Sequence, residues 1–245
     1  MTVNQIKKDG YQITAKIPIM PKTDSKFELT KILGECIVEF SKIFEKLKPD
    51  INIIFGDRDE MLASAIAAYH MNIPNAHIHG GDKSGGLDEY TRHAITKLSN
   101  IHFAATKKSS NRILRMGEKS QNIFHTGSPS IDELVSNKIT KINEIKKKYG
   151  DEIINNEILL VQHSVTTEID DVKNQIIHKK IKQIINKHDF IHFYPTLPRN
   201  DFLGLLQNCK VLVGNSSSGI IEASFFKKPV VNIGIRQKFR EKGPN

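Results

Sequence analysis

The sequence predicts an α/β fold of two Rossmann-like domains facing a cleft, with parallel sheets and helices on both faces. Three observations carry that expectation. Short β-branched apolar runs alternate with amphipathic helical stretches, glycines close several of the runs, and a polar Lys/Glu/Asn-rich stretch over 131–156 splits the series in two. A chain of 245 residues is long enough for two small domains with cores of their own. The expected division is an N-terminal domain over 1–136, a linker over 137–156 and a C-terminal domain over 157–245.

Leu29–Lys46 places Ile32, Leu33, Cys36, Ile37, Phe40, Ile43 and Phe44 at helical spacing, so it reads as an amphipathic helix. Ile51–Phe55 is a strand stopped by Gly56, and Glu60–His70 is an Ala-rich helix. Asn75–His79 is a strand closed by Gly80-Gly81, followed by a helix over Asp88–Ser99 and a strand over Ile101–Ala105. Lys107–Met116 is a helix ending at Gly117, and Asn122–His125 a strand. After the polar crossing come strands at Glu157–Gln162, Phe190–Phe193, Val211–Val213 and Val230–Ile233. Between them lie helices at Val172–Lys187, Asn200–Asn208 and Ser218–Phe226.

Composition narrows the classes. Hydrophobic residues are 38% and charged residues 26%, which fits a globular chain rather than a disordered one. No apolar run reaches the ~18 residues of a membrane helix, and MTVNQIKKDGYQ lacks the apolar stretch of a secretory signal. Cys36 and Cys209 stand alone, without metal or redox spacing, so a reducing, cytoplasmic setting is expected. The net charge of +9 is spread thinly: residues 1–150 hold 23 Lys and Arg against 17 Asp and Glu. With no basic block interleaved with aromatics, no nucleic-acid partner and no membrane are expected, and a small anion suits the charge.

In open parallel sheets, ligands bind beyond the carboxyl ends of the strands. That rule selects 56–58, 77–82, 162–163 and 214–219. Gly214–Gly219 (GNSSSG) follows a strand and opens a helix, so it reads either as a serine cap or as a cradle for phosphate, with Ser216 and Ser217 as donors. Glu222, one turn on, suits sugar or ribose hydroxyls. Alternation puts His77 and His79 on one side of their strand. They could be a metal pair lacking evident further ligands, core histidines satisfied by backbone, or acid–base groups near Asp57. Asp88 and Arg92 could be a dipole cap and a surface pair or part of a site. His163 and Arg236 follow strands and could meet a diphosphate.

Taken together, GDRDEMLASAIAAYHMNIPNAHIHGGD (56–82), LDEYTRHAITKLSNIHFAAT (87–106), HTGSPSID (125–132), QHSVTTEID (162–170), LPRNDFLGLL (197–206), GNSSSGIIEA (214–223) and VNIGIRQKFRE (231–241) resemble the UDP-N-acetylglucosamine 2-epimerase family. The likeness is to its hydrolysing branch, found in sialic-acid and nonulosonate synthesis. It implies a glycosyltransferase-B-like arrangement and conversion of UDP-N-acetylglucosamine to N-acetylmannosamine and UDP through a glycal. Alternatively it implies another UDP- or GDP-linked acetamido sugar, or an inactive nucleotide-sugar-binding homologue. No cofactor or metal is implied, and a homodimer or homotetramer is. By resemblance, Asp57, His79, Asp88, Arg92 and His163 are the catalytic set, and Ser216, Ser217, Glu222 and Arg236 hold UDP. His79 stands where many relatives carry glutamate, so any acid–base role would fall to an imidazole. Against the family pattern, a first strand with its Gly-Thr-Arg loop, a segment between Gln175 and Phe190, and the closing helices are expected to be missing.

Overall fold

The computed structural model describes residues 2–19, 23, 25–84, 87–136, 139–154, 158–162, 180, 183–184, 187–234, 237 and 240–241. Two compact units result: Met1–Asp82 with Asp88–Thr126, and Lys83–Leu87 with Gly127–Asn245. Each is built on a parallel sheet flanked by helices, so the expected α/β class with two Rossmann-like units holds. Among the described residues no helix is long and apolar enough to cross a membrane.

The first unit runs α1 (Thr2–Lys8), α2 (Lys26–Leu47), β1 (Asn52–Phe55), α3 (Asp59–His70), β2 (Asn75–Ile78), α4 (Leu87–Lys97), β3 (Ile101–Ala104), α5 (Lys107–Arg115) and β4 (Ile123–His125). Its strands lie in the order β1-β2-β3-β4, all parallel. Ser25 starts α2 by accepting the Glu28 amide at 3.2 Å, and Lys48 ends it in the left-handed region. The apolar stripe of α2 (Ile37, Phe40, Phe44) packs on Ala67 and Ala68 of α3, where alanines let the helices approach closely. Ile54, Ala65 and Ile95 join β1, α3 and α4. The buried Asn75 amide donates to Ala65 O at 3.0 Å and Leu98 O at 2.9 Å, tying β2 to α3 and the end of α4.

The second unit runs α6 (Pro129–Val135), α7 (Ile142–Tyr149), β5 (Ile158–Val161), α8 (Arg199–Asn208), β6 (Val211–Gly214), α9 (Glu222–Phe225) and β7 (Val230–Asn232). The strand order is β5-β6-β7, parallel throughout. Leu206, Cys209, Leu212 and Ala223 form its core with Leu159, Val161 and Val230.

Three expectations change. The break falls at Thr126/Gly127 rather than in a 137–156 linker. That stretch is anchored: buried Asp201 of α8 accepts from Thr140 at 2.5 Å, Lys148 at 2.9 Å and Tyr149 at 2.6 Å. Phe190–Phe193 is not a strand; it follows a turn at 189–190, and Pro195 and Pro198 lie just beyond. The expected Ser218–Phe226 helix is a 3₁₀ turn at Ser217–Gly219 followed by the single-turn α9. Its glycine is pressed against Val230, where a Cβ would come within 2.8 Å of Cγ1. Most of Val172–Lys187 lies outside the described residues.

Candidate functional site

In the first unit, the site grows from the carboxyl ends of β1 and β2. Gly56, at φ +83, turns the chain out of β1 and presents Asp57. From α4, Arg92 is 2% exposed and donates from Nη2 to Asp57 Oδ2 and from Nη1 to the Asp82 carbonyl at 2.9 Å. A planar guanidinium presents its N–H groups in a rigid fork that fixes both acceptors relative to each other, whereas an ammonium on a flexible stem does not.

β2 ends at Ile78, and His79 leaves it at φ +66, so the expected alternation of His77 and His79 is broken. His79 Nδ1 lies 3.0 Å from Asp82 Oδ2, and its ring meets Phe55 edge-on at 5.3 Å between centroids. The other Asp82 oxygen accepts the Ser109 hydroxyl at 2.6 Å. Gly81, at φ +74, carries this turn against α5: a Cβ there would lie 2.6 Å from both Ile113 Cγ1 and the Ser109 carbonyl.

His77 stays inside. Its Nε2 donates to Gly56 O at 2.8 Å, and its Nδ1 lies 3.1 Å from the Thr96 hydroxyl. Burial pulls its pKa down from 6.5 to about 4, so the ring is neutral at pH 7, with Nε2 protonated because a carbonyl only accepts. The two histidines therefore differ: His77 is a core histidine held by the Gly56 carbonyl and the Thr96 hydroxyl, whereas His79 pairs with Asp82 beyond the end of β2. Asp88 sits in the first turn of α4, four residues before Arg92. Burial, then the charges of Glu60 and Asp88, push the Asp59 carboxyl above its usual range, so carboxylates gather at this end of the sheet.

In the second unit, β6 ends at Gly214 and the GNSSSG loop follows. The Asn215 amide returns to Val161 O at 3.2 Å and the Ile233 amide to Gly214 O at 2.8 Å, fixing the loop against β5 and β7. Ser216 Oγ accepts the Ser218 amide at 3.2 Å. The serine cap is thus real, and α9 is too short to add the N-terminal field of a long helix. Ser217 is half-buried. Glu222 is 5% exposed; Arg199 Nη2 donates to its Oε1 at 2.6 Å, while Oε2 is buried without a hydrogen-bond partner among the described residues. Arg199 also donates from Nε to Glu133 at 3.1 Å.

Asp57, Arg92 and His79 are thus drawn into one hydrogen-bonded set through Asp82, while Ser216 and Ser217 lie in the second unit's strand-end loop and Glu222 opens α9 just beyond it. His163 and Arg236 lie outside the described residues. Sequence reasoning selected the 77–82 stretch yet passed over Asp82, and it missed Ser109 and Arg199. Asp82 closes a motif already singled out, which was signal enough; Ser109 is 27 residues away and only the fold pairs them.

Two parallel α/β units, each with its candidate residues at the carboxyl ends of the strands, place the protein in the glycosyltransferase-B-like fold class. The family model described as UDP-N-acetylglucosamine 2-epimerase matches residues 2–178 and 167–245. The UDP-N,N'-diacetylbacillosamine 2-epimerase (hydrolyzing) of Legionella pneumophila is 38% identical over all of this chain and 72% of its own length. The GDP/UDP-N,N'-diacetylbacillosamine 2-epimerase (hydrolyzing) of Campylobacter jejuni is 32% identical over all of this chain and 71% of its own. A crystal structure of UDP-GlcNAc 2-epimerase from Neisseria meningitidis, bound to UDP-GlcNAc, superposes with a TM-score of 0.75 at 23% identity, covering 96% of this chain and 72% of that one. The chain belongs to the UDP-N-acetylglucosamine 2-epimerase family.

Proposed function

We propose that this chain is a hydrolysing 2-epimerase of a UDP-linked 2-acetamido sugar, releasing the free sugar inverted at C2 together with UDP. The observation that carries it is the Asp57–Arg92 pair held beside His79 at the ends of β1 and β2. The proton at C2 passes to the acid–base set of Asp57, His79 and Asp88. The C–H electron pair forms the C1–C2 double bond, and the C1–O bond breaks with its electrons going to the diphosphate. Water then adds hydroxyl at C1 and a proton reaches C2 from the opposite face. Arg92 orients Asp57. Ser216 and Ser217 offer hydroxyls to the diphosphate, and Glu222, with one oxygen on Arg199, retains the other for a ribose hydroxyl. His163 and Arg236 join the diphosphate on the strength of the motif alone.

As substrate, UDP-N,N'-diacetylbacillosamine ranks ahead of UDP-N-acetylglucosamine, since relatives at 38% and 32% identity are named for the former. Proton NMR of the purified chain with each nucleotide sugar tests both levels. Free 2-epimerised sugar with UDP is expected; a UDP-linked epimer would indicate the non-hydrolysing reaction, and no turnover by folded chain of either compound would sink the reading.

A further inference from the structure

We propose that Asp82 is a positioning residue that holds the His79 imidazole with Nε2 as its basic nitrogen; this rests on the acid–base reading of His79 above. Both carboxylate oxygens of Asp82 are engaged, Oδ2 with His79 Nδ1 at 3.0 Å and Oδ1 with the Ser109 hydroxyl at 2.6 Å. An ionised carboxylate only accepts, so Nδ1 bears the proton of the neutral ring and the lone pair lies on Nε2. Nε2 is then the nitrogen that faces the reacting proton, while Nδ1–H keeps its bond to Asp82 and fixes the ring plane.

The surroundings hold this pair in place. Both side chains are largely buried, at 11% and 17% exposed. Ser109 is locked by its own amide, which donates to the Thr106 hydroxyl at 3.0 Å in the cap of α5. Arg112 of α5 donates to the Gly81 carbonyl, and Arg92 to the Asp82 carbonyl at 2.9 Å. One residue thus orients the imidazole through its side chain and, through its main chain, the guanidinium that meets Asp57. The left-handed φ of +66 at His79 is a conformation that side chains rarely adopt, kept here by its neighbours.

Nitrogen-15 NMR of the full chain with labelled histidine reads the tautomer without substrate. The His79 signal, assigned by its loss in His79→Gln, is expected in the Nδ1–H form. In Asp82→Asn it is expected to switch to Nε2–H, because Ser109 keeps donating to the carboxamide oxygen and leaves the amide nitrogen to donate to Nδ1. In turnover, Asp82→Asn should lower kcat about 10²–10⁴-fold with little change in KM. His79→Gln should fall as far, and the double variant no further. Asp82→Glu should restore part of the rate. An Nε2–H ring in wild type, or wild-type kcat in Asp82→Asn, overturns the proposal. If wild type turns over no nucleotide sugar, the acid–base reading fails while the tautomer still decides whether Asp82 holds the ring. Should Asp82→Asn not fold, Ser109→Ala replaces it: about tenfold loss of kcat at constant KM is expected, and an unchanged kcat overturns the proposal.

Discussion

Arg199 donates to one oxygen of Glu222 at 2.6 Å, and the second oxygen of the same carboxylate is buried without a hydrogen-bond partner among the described residues. Burying a carboxylate is costly unless it is paired, and Arg199 supplies the pair. Glu222→Gln keeps the shape and removes the charge. UDP affinity should fall by about 1.5–3 kcal/mol, the value of a hydrogen bond to a charged group, as read by isothermal titration. Arg199→Ala should weaken UDP as well and also destabilise the second unit by about 1–2 kcal/mol, a figure held down because Arg199 is partly exposed. UDP binding unchanged in both variants would remove Glu222 from the nucleotide site.

Arg92 reaches the Asp57 carboxylate and the Asp82 carbonyl from one guanidinium. Lysine keeps the charge and loses the fork. Arg92→Lys should therefore leave UDP affinity nearly intact and lower kcat by about 10²-fold, the cost of a misplaced acid–base group. Steady-state kinetics with the preferred sugar separate the two: wild-type kcat would show that the pair is only structural.

Stability should decline in mild acid. His77 has its pKa pulled from 6.5 to about 4, so between those values the unfolded chain binds a proton that the folded chain refuses. The contribution is complete above pH 6.5 and fades as pH falls toward 4, reaching about 2–3 kcal/mol of loss by pH ~4.5. His102, beside His77 in the β2–β3 ladder, is lowered by burial too and acts in the same sense. His77→Gln removes one titration while leaving a donor for Gly56, so urea unfolding should show a smaller acid loss in the variant. Equal losses in both would mean that His77 is solvated in the native state.

Much of this was readable in the chain. Helical spacing of apolar residues marked α2, α3 and α5, and short β-branched apolar runs marked the seven strands of the described residues. Lys141–Gly150 misled because its lysines look like linker; Lys148 and Tyr149 reach a carboxylate more than fifty residues away, which no local pattern records. The same limit hid Arg199 and Ser109, whose partners come from other elements. His77 and His79 could not be told apart by spacing, since what separates them is a backbone twist at His79.

Two glycines test whether positive φ or crowding sets the cost of a side chain. Gly56 has φ +83 with nothing within 4 Å of a built Cβ, whereas Gly214 has φ +143 and would place its Cβ 1.9 Å from the Val161 carbonyl oxygen. Gly56→Ala should therefore cost only conformational strain, about 1–2 kcal/mol. Gly214→Ala must push β6 away from β5 at the register pair Val161–Gly214, just where the GNSSSG loop begins. Its cost should exceed about 4 kcal/mol. Hydrogen exchange followed by mass spectrometry localises the damage: Gly214→Ala should deprotect 158–161 and 211–214 while leaving β1–β4 as in wild type. It should also abolish UDP binding, because the loop that offers Ser216 and Ser217 hangs from that strand pair. Equal, modest losses in the two variants would show that β5 and β6 can part slightly without harm, and that the loop does not depend on their close approach.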